Sequence, residues 1–389
     1  MRFSTLTDRV KGGAADAWDQ HYLAKQASER GEDVIILSVG DPDFATPQAV
    51  IDRALQAMQE GDTHYTSIQG HVELREAIAA RHRAASGQAI DADNVITTSG
   101  AQNALFACSL CLLDAGDEAI VLQPMYVTYE ATVQAPGATL VPVVLDSENG
   151  FRLSREALLG AVSERTRAIF YASPSNPTGV ALNREELELI AEVAQRHDLW
   201  VVADEVYSDF MYAGEFHHIA SLPGMSERVV TIGSLSKSYA MSGWRVGWAI
   251  ASPELIANLD KLALCMLYGL PGFIQQAGAH ALQHCEDDLA RMREAYRRRR
   301  DMLYEAFSAM PGLEPLLPDA GMFMMVNVLG SGLSAPDFVR ELYRASGVSV
   351  LDATAFGASA AGYVRVSCTV GDADLQRACE RIKSFLEAL

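Results

Sequence analysis

Between about residues 90 and 250 the chain repeats one pattern five times: a short apolar run that stops abruptly at polar or reactive residues, then a longer segment of helical period. The runs are Val95-Ile96-Thr97-Thr98, Ala119-Ile120-Val121-Leu122, Ile169-Phe170-Tyr171-Ala172, Trp200-Val201-Val202-Ala203 and Val229-Val230-Thr231-Ile232. Apolar runs this short, alternating with helical segments, predict a mostly parallel sheet covered by helices on both faces. Ligands of such sheets gather at the C-terminal strand ends. The residues just past each run are therefore informative: Ser99-Gly100-Ala101-Gln102, Gln123-Pro124-Met125-Tyr126, Ser173-Pro174-Ser175-Asn176-Pro177-Thr178-Gly179, Asp204-Glu205-Val206-Tyr207 and the segment around Lys237. Five separate stretches aim at one place.

One intervening helix is well marked, with Asn183 as N-cap, Glu186 three residues later, and Leu187, Ile190, Ala191 and Ala194 on one face. After about residue 285 the pattern changes to a long charged helix, roughly Asp287 to Ala309, with strand-like stretches beyond it at 321–327 and 363–367. This predicts a large domain over 42–286 and a smaller α+β domain made from 1–41 and 287–389. Arg297 to Arg300, within the long helix, read as a solvated basic face.

The net charge of −19 argues against nucleic acid and anionic membrane as partners, since both would be repelled at long range. No run approaches the ~20 apolar residues needed to span a bilayer, and the N-terminal stretch lacks a long apolar core, so a cytoplasmic protein is expected. Six cysteines in 389 residues do not form a disulfide framework. Cys108 and Cys111 make a CxxC, but inside an apolar stretch with no second pair; they read as buried helix residues, and no metal site is expected.

The segment Gly233-Ser234-Leu235-Ser236-Lys237-Ser238 through Arg245 and Gly247 carries the most chemistry. A nucleophilic lysine needs nearby positive charge and partial burial to lower its pKa, and Arg245 supplies such a charge. Ser234 and Arg245, on either side of Lys237, both suit phosphate oxygens. A lysine placed beside a phosphate site suits a Schiff base with pyridoxal 5'-phosphate. Gly100, Ala101 and Gln102 open a helix after a strand, so their amides and the helix dipole extend the anion cradle. A surface lysine after a strand gives the same local pattern as Lys237.

Taken together, Gly40-Asp41-Pro42-Asp43-Phe44, Tyr65 with Gly70 and Leu74-Arg75, Ser173 to Gly179, Asp204-Glu205-Val206-Tyr207, the Lys237 segment and Arg365 resemble the class I/II pyridoxal-phosphate aminotransferases of fold type I, in order and approximate spacing over nearly the whole chain. The resemblance implies a mostly parallel seven-stranded sheet between helices, plus a smaller domain. It implies that Asp204 pairs with the pyridine nitrogen, that Tyr207 and Asn176 donate to the ring oxygen, and that Tyr126 stacks on the ring. It implies that Arg365, with Asn176 and the Gly40 backbone, holds the substrate α-carboxylate. It implies a homodimer in which Tyr65 reaches the phosphate of the other active site. The activity implied is ping-pong transfer of an amino group from an L-amino acid to a 2-oxo acid, with Lys237 carrying a proton between carbons.

Within the family, strings such as Ser38 to Phe44, Pro124 to Glu130, Leu262 to Gly269 and Glu294 to Arg300 are more similar to arginine:pyruvate transaminases than to aspartate or aromatic enzymes. For a guanidinium-bearing substrate an acidic residue in Ala17-Trp18-Asp19-Gln20-His21 is expected to bind, with Asp19 the choice. Aspartate- or aromatic-type transfer, and a lyase or decarboxylase with the same cofactor residues, are the alternatives. A regulator built on this fold would carry an added DNA-binding domain, and the family pattern occupies almost the whole chain.

Overall fold

The computed structural model describes residues 1–11 and 18–389. Its strands, in chain order, are β1 (Ile35–Ile36), β2 (Val95–Ser99), β3 (Glu118–Gln123), β4 (Thr139–Val144), β5 (Thr166–Ala172), β6 (Trp200–Asp204), β7 (Val229–Ser234), β8 (Val246–Ile250), β9 (Glu314–Pro315), β10 (Phe323–Asn327), β11 (Val348–Ser349), β12 (Leu351–Asp352) and β13 (Tyr363–Ser367). Seven of them form one sheet in the order β2-β8-β7-β6-β5-β3-β4, parallel throughout except for β8, which runs against both neighbours. All five apolar runs read from the sequence are strands of this sheet. A smaller antiparallel sheet has the order β12-β13-β10-β9, and β1 pairs with β11 in a separate parallel ribbon.

Strand periodicity explains the sandwiching. Along β5, Ala168 and Phe170 join one apolar cluster with Leu105, Cys108, Leu255 and Leu259 from the helices Ala101–Leu112 and Pro253–Met266. Ile169 and Tyr171 point the other way, into a cluster with Leu187, Ile190 and Val193 of the helix Arg184–Arg196. Alternate residues thus bury on opposite faces, as a doubly covered parallel sheet requires. The helix Arg184–Arg196 begins with the capping box expected, Asn183 Oδ1 accepting from Glu186 N and Glu186 Oε2 from Asn183 N. Cys108 is buried and Cys111 half-buried in the helix Ala101–Leu112, and all six cysteines are free.

The long charged helix spans Glu286–Ser308. Its basic run is not a solvated face throughout: Arg299 and Arg300 are buried. Arg299 makes a two-pronged ion pair with Asp43 at 2.8 and 2.9 Å and a further bond to Asp372, while Arg300 donates to the Pro318 carbonyl and lies 4.8 Å from the Tyr212 ring centroid. Asp43 and Asp372, remote in sequence, pair Arg299, and the adjacent Asp301 pairs Arg300; a buried guanidinium is costly unless paired.

Candidate active site

Strand ends supply most of the site. Asp204 is the last residue of β6 and Ser234 the last of β7, and Lys237 sits in the single helical turn Leu235–Ser238 immediately beyond. Ser234 Oγ caps that turn by accepting from Ser236 N at 3.0 Å. With Gly40, Ala101, Gln102, Tyr126, Asn176, Tyr207, Arg245 and Arg365 these residues line one cavity of about 420 Å³. The convergence expected from the sequence is therefore met in space.

Lys237 Nζ donates to the Gly40 carbonyl at 2.7 Å. Burial is the main reason its amine falls from 10.5 to about 8; Asp41 opposes the fall, and Arg365 and Arg245 add to it. The neutral, nucleophilic amine therefore accumulates as pH rises through about 8. Acetylation of Lys237 in the apoprotein, read by peptide mass spectrometry across a pH series, should show its midpoint near 8; a midpoint near 10.5 would contradict the burial argument.

Asp204 is buried, accepting from the Tyr129 hydroxyl at 2.7 Å and from Val206 N at 3.3 Å. Burial raises its carboxyl to about 6 despite those two bonds, so the carboxylate lacks a full counter-charge and suits a protonated ring nitrogen. Sequence reasoning misses Tyr129, although it lies three residues after Tyr126 on the same short segment. Tyr207, at 5% exposure, has its hydroxyl pushed up by burial and shares a hydrogen bond with Asn176.

At the other end of the cavity Gly100, at φ +80°, leads into the helix Ala101–Leu112. A Cβ on Gly100 would lie 2.2 Å from Arg245 Nη2, and one on Gly247 would lie 2.5 Å from the Gly100 carbonyl carbon. Only glycines let the guanidinium and β8 approach the helix start this closely. Arg245 is fixed by the Ser242 and Ser99 carbonyls at 2.7 and 3.0 Å. Gly100 N already donates to the Thr98 carbonyl at 2.8 Å, so it is the amides of Ala101 and Gln102, at the helix start beside this cation, that suit an anion.

Arg365 is 1% exposed. Its Nη1 donates to Asn176 Oδ1 at 2.9 Å and its Nη2 to the Ser38 carbonyl at 2.7 Å, and the guanidinium lies 4.1 Å from the Phe323 ring centroid and 5.0 Å from that of Phe356. No carboxylate pairs with it among the described residues, its Nε–H is buried without an acceptor, and burial lowers it to about 10. A buried cation without an anion is a binding site awaiting one. The same Phe323 ring fills the space where a Gly40 side chain would be, at 2.0 Å from an ideal Cβ, which brings the Gly40 backbone to the cavity wall. Together, phosphate cradle, amine, carboxylate and orphan guanidinium fit a phosphorylated pyridine aldehyde with an amino acid beside it.

Two expected residues lie elsewhere. Tyr65 is 87% exposed, packs edge-on against Tyr268 at 5.0 Å, and is not in the cavity wall of its own chain. Asp19 is exposed at the start of the helix Asp19–Glu29 and also lies outside the wall, whereas its neighbour Trp18 lines it; Ala17, of the same segment, lies outside the described residues. Away from this cavity, His82, Glu205 and His218 come together, with His218 Nδ1 bonded to Glu205 at 2.7 Å and His82 Nε2 to Gln88 at 2.6 Å.

The chain belongs to the aminotransferase class I and II family, whose model matches residues 32–382. It is an aminotransferase of fold type I; the family is generally pyridoxal-phosphate dependent. Among curated relatives it is 51% identical to arginine–pyruvate transaminase AruH of Pseudomonas aeruginosa over 382 residues, covering 98% of this chain and 97% of that one. It is 36% identical to an aspartate aminotransferase of Musicola paradisiaca over 372 residues, covering 93% of this chain and 92% of that one. Among solved structures, aspartate aminotransferase from Thermus thermophilus with maleate superposes with a TM-score of 0.93 at 33% identity, over 99% of this chain and 100% of that one.

Proposed function

We propose that this chain moves the α-amino group of L-arginine to pyruvate, using pyridoxal 5'-phosphate held on Lys237. The observation that carries the substrate assignment is the 51% identity, over almost the full length of both chains, to a transaminase named for that pair. The cofactor assignment rests on a buried, partly neutralised lysine between a phosphate cradle and an under-compensated carboxylate.

When bound, the cofactor would supply an aldehyde to take the amino group and a protonated ring to accept electrons from Cα. Arg245, Ser234 and the amides of Ala101 and Gln102 would hold its phosphate, the Gly100 amide being taken up by the Thr98 carbonyl. Asp204 would keep the ring nitrogen protonated, Tyr207 and Asn176 would donate to the ring oxygen, and Tyr126 would cover one ring face. Arg365, with Asn176 and the Gly40 backbone, would take the substrate carboxylate. Two-point holding of this kind orients Cα–H so that its electrons align with the ring. Lys237, once released, is the base within reach of that hydrogen.

A homodimer belongs to the same reading. Tyr65 lies outside its own cavity and is strongly exposed, as expected of a side chain that completes the phosphate site of a second copy. Sedimentation should then give about twice the 42.1 kDa chain mass. A cytoplasmic enzyme without nucleic-acid or membrane partners fits the acidic charge, and no helix among the described residues is long and apolar enough to cross a membrane.

The deciding assay is holoenzyme with an amino-acid panel and either pyruvate or 2-oxoglutarate, products identified by mass spectrometry. Alanine formed in equal amount to arginine consumed is the expected result. Aspartate with 2-oxoglutarate as the preferred pair would favour the aspartate-type alternative, and release of carbon dioxide or ammonia without alanine would favour a decarboxylase or lyase.

A further inference from the structure

We infer that Asp41 is the residue that selects a cationic side chain, pairing with the guanidinium of the amino donor at the mouth of the cavity. The assignment rests on the arginine reading above and deepens it. Among the described residues two carboxylates line the cavity, Asp204 and Asp41. Asp204 is buried behind the ring site and already accepts two hydrogen bonds. Asp41 is exposed and makes no hydrogen bond or ion pair among the described residues, its charge acting only at a distance on the Lys237 amine. Among the described residues it is therefore the carboxylate of the cavity left to meet a cation brought by substrate.

Its mounting is rigid. On one side Gly40 is packed against Phe323, the ring on which Arg365 stacks. On the other, two residues along, Asp43 is gripped by Arg299 through two hydrogen bonds and by the Tyr296 hydroxyl at 3.2 Å. Pro42 between them restricts the backbone further. The loop that offers its Gly40 carbonyl to Lys237 thus also presents an acid to the cavity that Arg365 lines. A substrate with an anion at one end and a cation at the other matches this order of charges. Asp19, exposed and outside the wall, does not.

The test compares L-arginine with L-citrulline, which keeps the shape of the side chain and loses its charge. Single-turnover rates of the holoenzyme with each amino acid, without oxo acid, are read from the cofactor absorbance for the native protein, D41N and D41E. A charge-assisted hydrogen bond predicts a native preference for arginine of about 10- to 100-fold, collapsing to within about threefold in D41N and recovering in D41E. Taking a ratio cancels any effect of Asp41 on the Lys237 amine, which both substrates share. If the native preference persists in D41N, the Asp41 assignment falls and the arginine reading stands. If the native enzyme shows no reaction with arginine, the arginine reading falls and takes this assignment with it.

Discussion

Lys237→Ala lowers kcat for arginine and pyruvate by about 10⁴-fold or more while leaving the fold in place. Proton transfer by a positioned side chain alone contributes up to about 10⁴-fold, and the same residue is expected to hold the cofactor, so both functions are lost together. The structural cost is small by comparison. Lys237 lies in a four-residue helical turn and its amine makes one hydrogen bond, to the Gly40 carbonyl. A single such bond contributes about 1 kcal/mol. Thermal unfolding of the variant should therefore shift by a few degrees at most, and steady-state assays should find almost no turnover. More than about a hundredth of native kcat would mean that another group is the base.

Arg365→Lys lowers kcat/KM for amino acids by about 10²- to 10³-fold, chiefly through KM. Lysine keeps the charge but not the planar fork, and it could not replace the bonds to Asn176 and Ser38 while meeting a carboxylate on two points. It would also lose the stack between Phe323 and Phe356 that holds the guanidinium in position. The control is agmatine, arginine without its carboxylate. Native enzyme should discriminate strongly against it and R365K weakly, because the discriminating contact is gone. An unchanged arginine-to-agmatine ratio would assign Arg365 a structural role only.

Much of this site is legible in the sequence because chemistry and strand pattern coincide. Each of the five apolar runs stops at the residue type the cavity uses, and Asp204 and Ser234 are the terminal residues of their strands. Two strands of the seven-stranded sheet escape that reading. β8 begins directly after Arg245, and its Gly247 looks like a loop residue; the glycine is there so that the strand can lie against the Gly100 backbone. β4 carries Pro142 and is mostly exposed or half-buried, as an edge strand with one neighbour can be. The basic run misleads for a different reason. Helical period shows which arginines share a face, not that Asp43 and Asp372, some 250 and 70 residues away, arrive to neutralise Arg299. The same blindness to distant partners hides Tyr129 under Asp204.

The central claim is that the cofactor is carried by Lys237, and one measurement addresses it directly. Holoenzyme as purified is reduced with borohydride, digested, and its peptides are mapped by mass spectrometry. A single phosphopyridoxyl group, on the peptide containing Lys237, is the predicted result. A phosphopyridoxyl group on another lysine, or on none in enzyme that transaminates, would contradict it.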